Sequence, residues 1–205
     1  MTRIILIRHG QTEWNKQERF RGRADIELDE TGRRQAQAVA AKVAQWKVDA
    51  VYSSPMKRAT ATAEAIASRL GLAVQILDGI NDMSFGVWEG LPIDEAREKD
   101  PALFDLWLHH PERLVIPGAE TLEDVRKRAV AAVDEVVVKH KDQIIALVTH
   151  RVVCKVLLCH VLGLDNSHFW CIAQDTTAIN LFEVVEGKSA VTLINDTCHL
   201  GSLEA

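Results

Sequence analysis

The chain has 205 residues, 47% apolar and 26% charged, with a formal net charge of −5 and a sequence pI near 5.9. That length suits one domain with a substantial core, and the acidic balance supplies no basic field for nucleic acid or acidic membranes, so any anion site must be built locally. No apolar run reaches membrane-span length and the N-terminus enters a strand pattern without signal-peptide features, which leads us to expect a cytoplasmic protein.

The apolar run Ile4 to Ile7 reads as a buried strand. It ends in Arg8, His9 and Gly10, a cation, an imidazole and a glycine at the carboxyl end of a strand, where ligands bind in open α/β sheets and glycine lets the backbone turn closely around them. The irregular stretch that follows carries Arg19, Arg21 and Arg23, which read either as solvated surface or as the rim of a pocket beside His9. Thr31-Gly32 opens a helix with Ala36, Val39, Ala40, Val43 and Ala44 on its inward face. Val48 to Tyr52 reads as a second strand, Ser53-Ser54-Pro55 as a turn, and Ala59, Ala63, Ile66 and Leu70 as the apolar face of the next helix. Arg58 falls in the first turn of that helix, where the dipole disfavours a cation unless an anion lies nearby. Lys57 is expected to face solvent.

Ala73 to Leu77 predicts a third strand, followed by a turn-rich stretch from Asp78 to Gly90 that contains Asp82 and Glu89. In such turns an aspartate accepts backbone hydrogen bonds. Leu91 to Pro117 holds Pro92, Pro101, Pro111 and Pro117 and two short amphipathic pieces, Ile93 to Glu98 and Ala102 to Leu108, and reads as an insertion over the sheet end, with His109 and His110 at the surface. Glu120 and Thr121 look like caps of a helix whose inward face is Leu122, Val125, Ala129, Ala132, Val133 and Val136. Gln143 to Thr149 predicts a strand ending in His150 and Arg151, and the helix from Val152 to Leu162 presents its first amides there, a geometry that favours anions. Thr177 to Val185 and Ala190 to Ile194 read as a hairpin around Glu186-Gly187-Lys188. Cys154, Cys159, Cys171 and Cys198 lack a C-x-x-C pair and read as buried thiols rather than zinc ligands or a disulfide set. His140, His160, His168 and His199 read as structural or surface residues.

Three strand ends thus deliver Arg8-His9, Arg58 and His150, and a loop after another delivers Asp82. Two arginines and two histidines suit a phosphoryl dianion. The sequence has no P-loop and no magnesium-binding aspartate pair, so no metal and no cofactor is expected, and any phosphoryl chemistry must rely on arginine and histidine.

Arg8-His9-Gly10-Gln11-Thr12 with Asn15 resembles the Arg-His-Gly-x-Thr-x-x-Asn signature of the histidine phosphatase superfamily, the phosphoglycerate mutase-like proteins, and the likeness runs from Arg3 to the Asn195–His199 tail. The resemblance implies an α/β three-layer α/β/α sandwich with a mostly parallel central sheet, forming one domain over 1–205 with a small helical cap at 91–117. It implies a metal-independent phosphatase in which His9 forms a phosphohistidine, Arg8, Arg58 and His150 bind the phosphoryl oxygens, and Asp82 is the proton donor. Gln11, Thr12, Asn15, Arg21, Gly22, Thr149 and Arg151 are then substrate-binding positions, and Glu120 belongs to an element that helps hold the histidines. Two positions depart from the family pattern. Asp82 stands where most family phosphatases carry glutamate, with Glu89 as the fallback acid, and Arg151 stands where glycine is frequent. The substrate expected is a small phosphorylated metabolite, with no nucleic-acid or membrane partner; a homodimer is left open. The rival readings are a phosphoglycerate mutase, for which the segment between acid and second histidine is short, and a non-catalytic phospho-ligand binder.

Overall fold

The computed structural model describes residues 1–185 and 187–204. At its centre lie six strands, β1 (Thr2–Arg8), β2 (Ala50–Ser53), β3 (Val74–Ile76), β4 (Ile144–Thr149), β5 (Ile179–Val185) and β6 (Lys188–Asp196), in the order β3-β2-β4-β1-β5-β6. The first four run parallel, and β5 and β6 continue the sheet antiparallel at one edge. The helices are α1 (Glu13–Lys16), α2 (Glu30–Val43), α3 (Lys57–Leu70), α4 (Ile93–Lys99), α5 (Pro101–His109), α6 (Leu122–Lys139) and α7 (Arg151–Val161). Among the described residues no helix is long and apolar enough to cross a membrane.

Successive side chains of a strand face opposite sides of the sheet, and β1 shows why its sequence is apolar at every position. Ile4 and Leu6 enter one core with the α6 and α7 side chains Val125, Ala129, Val153 and Leu157. Ile5 and Ile7 enter the other with Val39, Ala40 and Val43 of α2 and Ala59, Ala63 and Ile66 of α3. The sheet is therefore covered by helices on both faces, the three-layer arrangement expected. Every inward position anticipated for α6 is buried.

Some expectations do not hold. Ala44 is exposed because the helix ends at Val43 and Ala44 is already its cap. Cys154 and Cys159 are buried on α7, but Cys171 and Cys198 are exposed; both sit in short turns, where apolar sequence neighbours do not bury a side chain. The segment after His9 contains the short α1, capped where Thr12 and Asn15 pair. Glu186 of the expected turn lies outside the described residues.

Parallel pairing brings the carboxyl ends of β1, β2 and β4 to one edge. Arg8 pairs with Thr149 and Ser53 with Val148, so His9, Ser54 and His150 emerge side by side. The Gly10 hydrogen faces the first turn of α2, and a Cβ there would lie 2.6 Å from the Gly32 carbonyl oxygen. A Cβ on Gly32 would in turn lie 2.0 Å from the Gln11 carbonyl oxygen. The two glycines interlock α2 with the loop that carries His9.

Helix propensity alone favours alanine over glycine inside a helix. For Gly32→Ala we expect the opposite sign, a loss of about 1–3 kcal/mol from backbone overpacking, read as a lowered urea midpoint. An unchanged or raised midpoint would contradict the interlock.

Candidate active site

His9 follows the last residue of β1 and is fully buried. Its Nδ1 lies 2.6 Å from its neighbour Gly10's carbonyl oxygen. A carbonyl only accepts, so Nδ1 carries the proton and Nε2 keeps its lone pair, and Nε2 has no partner among the described residues. Burial, then the charges of Arg58, His150, Arg8 and Arg21, hold the His9 pKa well below its ordinary value. The imidazole is thus a neutral nucleophile with a fixed tautomer.

His150 caps the start of α7, its ring centroid 5.2 Å from that of His9. Its Nε2 is 2.6 Å from the Ser54 hydroxyl oxygen, and its Nδ1 is 3.4 Å from Asp82 Oδ2 without hydrogen-bond alignment. Burial and the nearby arginines, Arg58 first, push its pKa well down too.

Arg58 has no exposed surface. Its terminal nitrogens donate to the Ala24 carbonyl (2.7 Å), the Gly22 carbonyl (2.8 Å) and Asp82 Oδ2 (2.9 Å), while Nε has no partner. The cation at the helix start is therefore answered by a carboxylate. Asp82 Oδ1 accepts the Met83 amide, the turn bond expected of an aspartate here. Arg8 donates Nη1 to the Gln174 carbonyl at 2.6 Å and leaves Nε unpaired. Burial and then the Arg21 and Arg151 charges make its own charge less favourable.

Among the described residues seven buried side-chain nitrogen or oxygen atoms lack a partner, and five belong to this cluster: Arg8 Nε, His9 Nε2, Arg21 Nε, Arg58 Nε and His150 Nδ1. Four of the five residues are arginine or a potential histidine donor beside one nucleophilic nitrogen, a set that fits a tetrahedral oxyanion in contact with His9.

The other anticipated positions separate into two groups. Asn15, Arg21, Gly22 and Arg151 line the cleft above the cluster with Arg8 and Asp82. Asn15 Oδ1 accepts both the amide and the hydroxyl of Thr12, which leaves its Nδ2 donor free of that pair. Arg151 stacks 5.2 Å from the Trp170 ring centroid, so its side chain is held at the cleft instead of standing in solvent. Gln11, Thr12 and Thr149 are engaged elsewhere: Gln11 with Gln35 and Asp29, Thr12 with Asn15, and the Thr149 hydroxyl with the Ile80 carbonyl at 2.6 Å. Glu89 is absent from the cleft wall and packs beside Gly22. Thr121 caps α6, but Glu120 does not, nor does it touch the histidines; it binds the Ser84 amide, Arg128 and Arg23.

The cleft has a volume of about 510 Å³. Ile93, Arg97, Phe104, Trp107 and Leu108 from the 91–117 segment form one wall, and Phe169 and Trp170 another. Sequence reasoning missed Ser54, which bonds His150, and Thr62, whose hydroxyl accepts the Gly10 amide at 3.1 Å. Ser54 occupies the same strand-end position as His9 and His150, a signal the alternation already contained.

A buried arginine–histidine cluster at the carboxyl edge of this sheet defines the class. The histidine phosphatase superfamily (branch 1) model matches residues 4–197, and the chain belongs to that superfamily. Phosphoserine phosphatase 1 of Hydrogenobacter thermophilus is 34% identical over 201 residues, covering 98% of this chain and 95% of its own. Bacillus stearothermophilus YhfR superposes with a TM-score of 0.94 at 30% identity, covering 98% of this chain and 100% of that one. A phosphoserine phosphatase mutant from Entamoeba histolytica in complex with phosphoserine gives 0.89 at 28% identity, with coverage of 98% and 100%. The chain is a phosphoric monoester hydrolase of this family.

The depressed His9 and His150, joined by His199, whose burial lowers its pKa as well, set an acid limit on stability. Unfolded histidine titrates near pH 6.5, so the unfolded chain binds more protons below that value. Stability is full above about pH 6.5 and falls on acidification, by up to about 1.4 kcal/mol per pH unit for each histidine. Urea unfolding between about pH 7.5 and 5 should show this slope, shallower by one histidine's share in His9→Asn. A slope unchanged by that substitution would contradict a neutral buried His9.

Proposed function

We propose that the protein hydrolyses a small phosphomonoester in the cytoplasm through a phosphohistidine on His9, without a metal. The observation that carries this reading is that His9, whose Nε2 has no partner, lies among Arg8, Arg58 and His150, each of which also leaves a buried nitrogen unpartnered. Phosphoryl transfer needs positioning and charge stabilisation, and this cluster supplies both from side chains alone. Four unpaired cysteines accord with a reducing compartment.

In the first step the Nε2 lone pair attacks phosphorus and the bond from phosphorus to the ester oxygen breaks. Asp82 in its acid form gives its proton to the departing oxygen, so an alcohol leaves and the enzyme keeps the phosphoryl group. In the second step water attacks phosphorus, the bond to Nε2 breaks, and the Asp82 carboxylate takes the water proton, releasing inorganic phosphate and restoring both groups. Arg8, Arg58 and His150 hold the oxygens that carry the charge. The Arg21 guanidinium makes no hydrogen bond to the described side chains or backbone, so its donors are free for the entering anion. Asp82 is favoured over Glu89 because it contacts both Arg58 and His150 while Glu89 lies off the cleft.

Relatives with phosphoserine in their names, and the aromatic wall with Arg151 at its edge, point to a compact ester with an anionic tail. Phosphate release from phosphoserine, 3-phosphoglycerate and p-nitrophenyl phosphate in EDTA tests the reading. We expect turnover with wild type, none with His9→Ala, and a loss of about 10²–10⁴-fold with Asp82→Asn on alkyl esters. Turnover that survives His9→Ala, or that EDTA abolishes, would overturn it.

A further inference from the structure

The loop that carries Asp82 is fastened by one side chain outside the cleft. Arg128 of α6 donates Nη1 to the carbonyls of Gly79 (2.8 Å) and Asn81 (2.7 Å) and Nη2 to the carbonyl of Asp82 (3.0 Å). Its Nε and Nη2 also grip the two oxygens of Glu120, at 2.8 and 3.0 Å. A guanidinium has five N–H donors, and these five bonds use them all. Arg128 therefore has nothing left to offer a substrate.

Glu120 is itself fixed. It accepts the Ser84 amide at 3.0 Å and Arg23 Nη2 at 3.2 Å, and Arg23 Nε reaches the Asp82 carbonyl at 3.3 Å. Burial opposes its ionisation, but the Arg128 and Ser84 bonds prevail and hold its carboxyl below the usual range. Gly79 lets the loop lie flush on α6, since a Cβ there would meet the Ala132 Cβ at 2.4 Å. From residue 79 to residue 84 the backbone is thus bound to one arginine–glutamate pair on both sides of Asp82.

We propose that Arg128, with Glu120, is a positioning residue that fixes the reach of the Asp82 carboxyl to the departing oxygen. The inference rests on Asp82 acting as the acid. An aspartate is one methylene shorter than a glutamate, so its backbone has less slack, and a misplacement of about 1 Å costs on the order of 100-fold in rate. A loop with free carbonyls would not hold that tolerance; three charge-assisted bonds from Arg128 to its carbonyls restrain it.

The test compares two esters by kcat/KM, which reports phosphoenzyme formation. Phosphoserine releases an alkoxide that needs the proton, and p-nitrophenyl phosphate releases a stable phenolate that does not. For Arg128→Met we expect a loss of about 10–100-fold on phosphoserine and a much smaller loss on p-nitrophenyl phosphate. Arg128→Lys should restore part of the phosphoserine rate, and Glu120→Gln should show the same bias more weakly; these two carry the comparison if Arg128→Met does not fold. An equal loss on both esters overturns the proposal, because a merely structural strut would slow both alike. Asp82→Asn is the control. If it shows the leaving-group bias while the Arg128 variants do not, only the clamp fails; if it shows none, the assignment of the acid fails and the clamp with it.

Discussion

The structure depends on keeping cationic groups buried around a position reserved for an anion. Each unpaired polar group taken out of water costs about 1–3 kcal/mol, and a charged one more. Arg8, Arg21, Arg58, His9 and His150 all leave an atom in that condition. The surrounding protein meets part of the cost. Arg58 is bound by two carbonyls and Asp82, Arg8 by the Gln174 carbonyl, and both histidines stay neutral, which removes two charges from the cluster. On the proposed reading, what remains unmet is the binding energy available to a phosphoryl group.

Such a cluster needs a scaffold that does not yield, and the sheet provides it. Three parallel strands end at one edge in matched register, and both of their faces are buried, so a side chain set there cannot relax into solvent. The supporting contacts come from a strand end and from neighbouring helices: Ser54 orients His150, Thr62 on α3 bonds the backbone after His9, and Arg128 on α6 fastens the Asp82 loop. The cleft wall comes from a different part of the chain, the 91–117 segment and the Phe169–Trp170 pair.

Much of this was legible in the sequence, and the reason is periodicity. Strands buried on both faces must be apolar throughout, and α6 must repeat its apolar residues at three and four, so β1, β4 and α6 were readable with their core faces. Arg58 was legible because a cation in a first helical turn demands an anion, which the structure supplies as Asp82. Side-chain hydrogen bonds across long separations leave no such trace. Ser54 to His150 and Arg128 to Gly79 join residues 96 and 49 apart, and serine or arginine at those positions looks like an ordinary turn or a solvated helix face. Glu120 misled for a related reason: next to a helix start it resembles a cap, while its partners are the Ser84 amide, Arg128 and Arg23. The exposed Cys171 and Cys198 show the same limit, since burial belongs to the packed element and not to neighbouring letters.

The central claim is that His9 Nε2 is the atom that receives the phosphoryl group, and the most direct measurement is to catch it there. Asp82→Asn mixed with a p-nitrophenyl phosphate excess and quenched in base should yield a base-stable, acid-labile phosphoenzyme. Peptide mapping should place the group on His9, and phosphorus NMR should assign it to Nε2. A phosphoryl group on Nδ1, on His150 or on an oxygen side chain, or phosphate release with no covalent species at any quench time, would contradict the account.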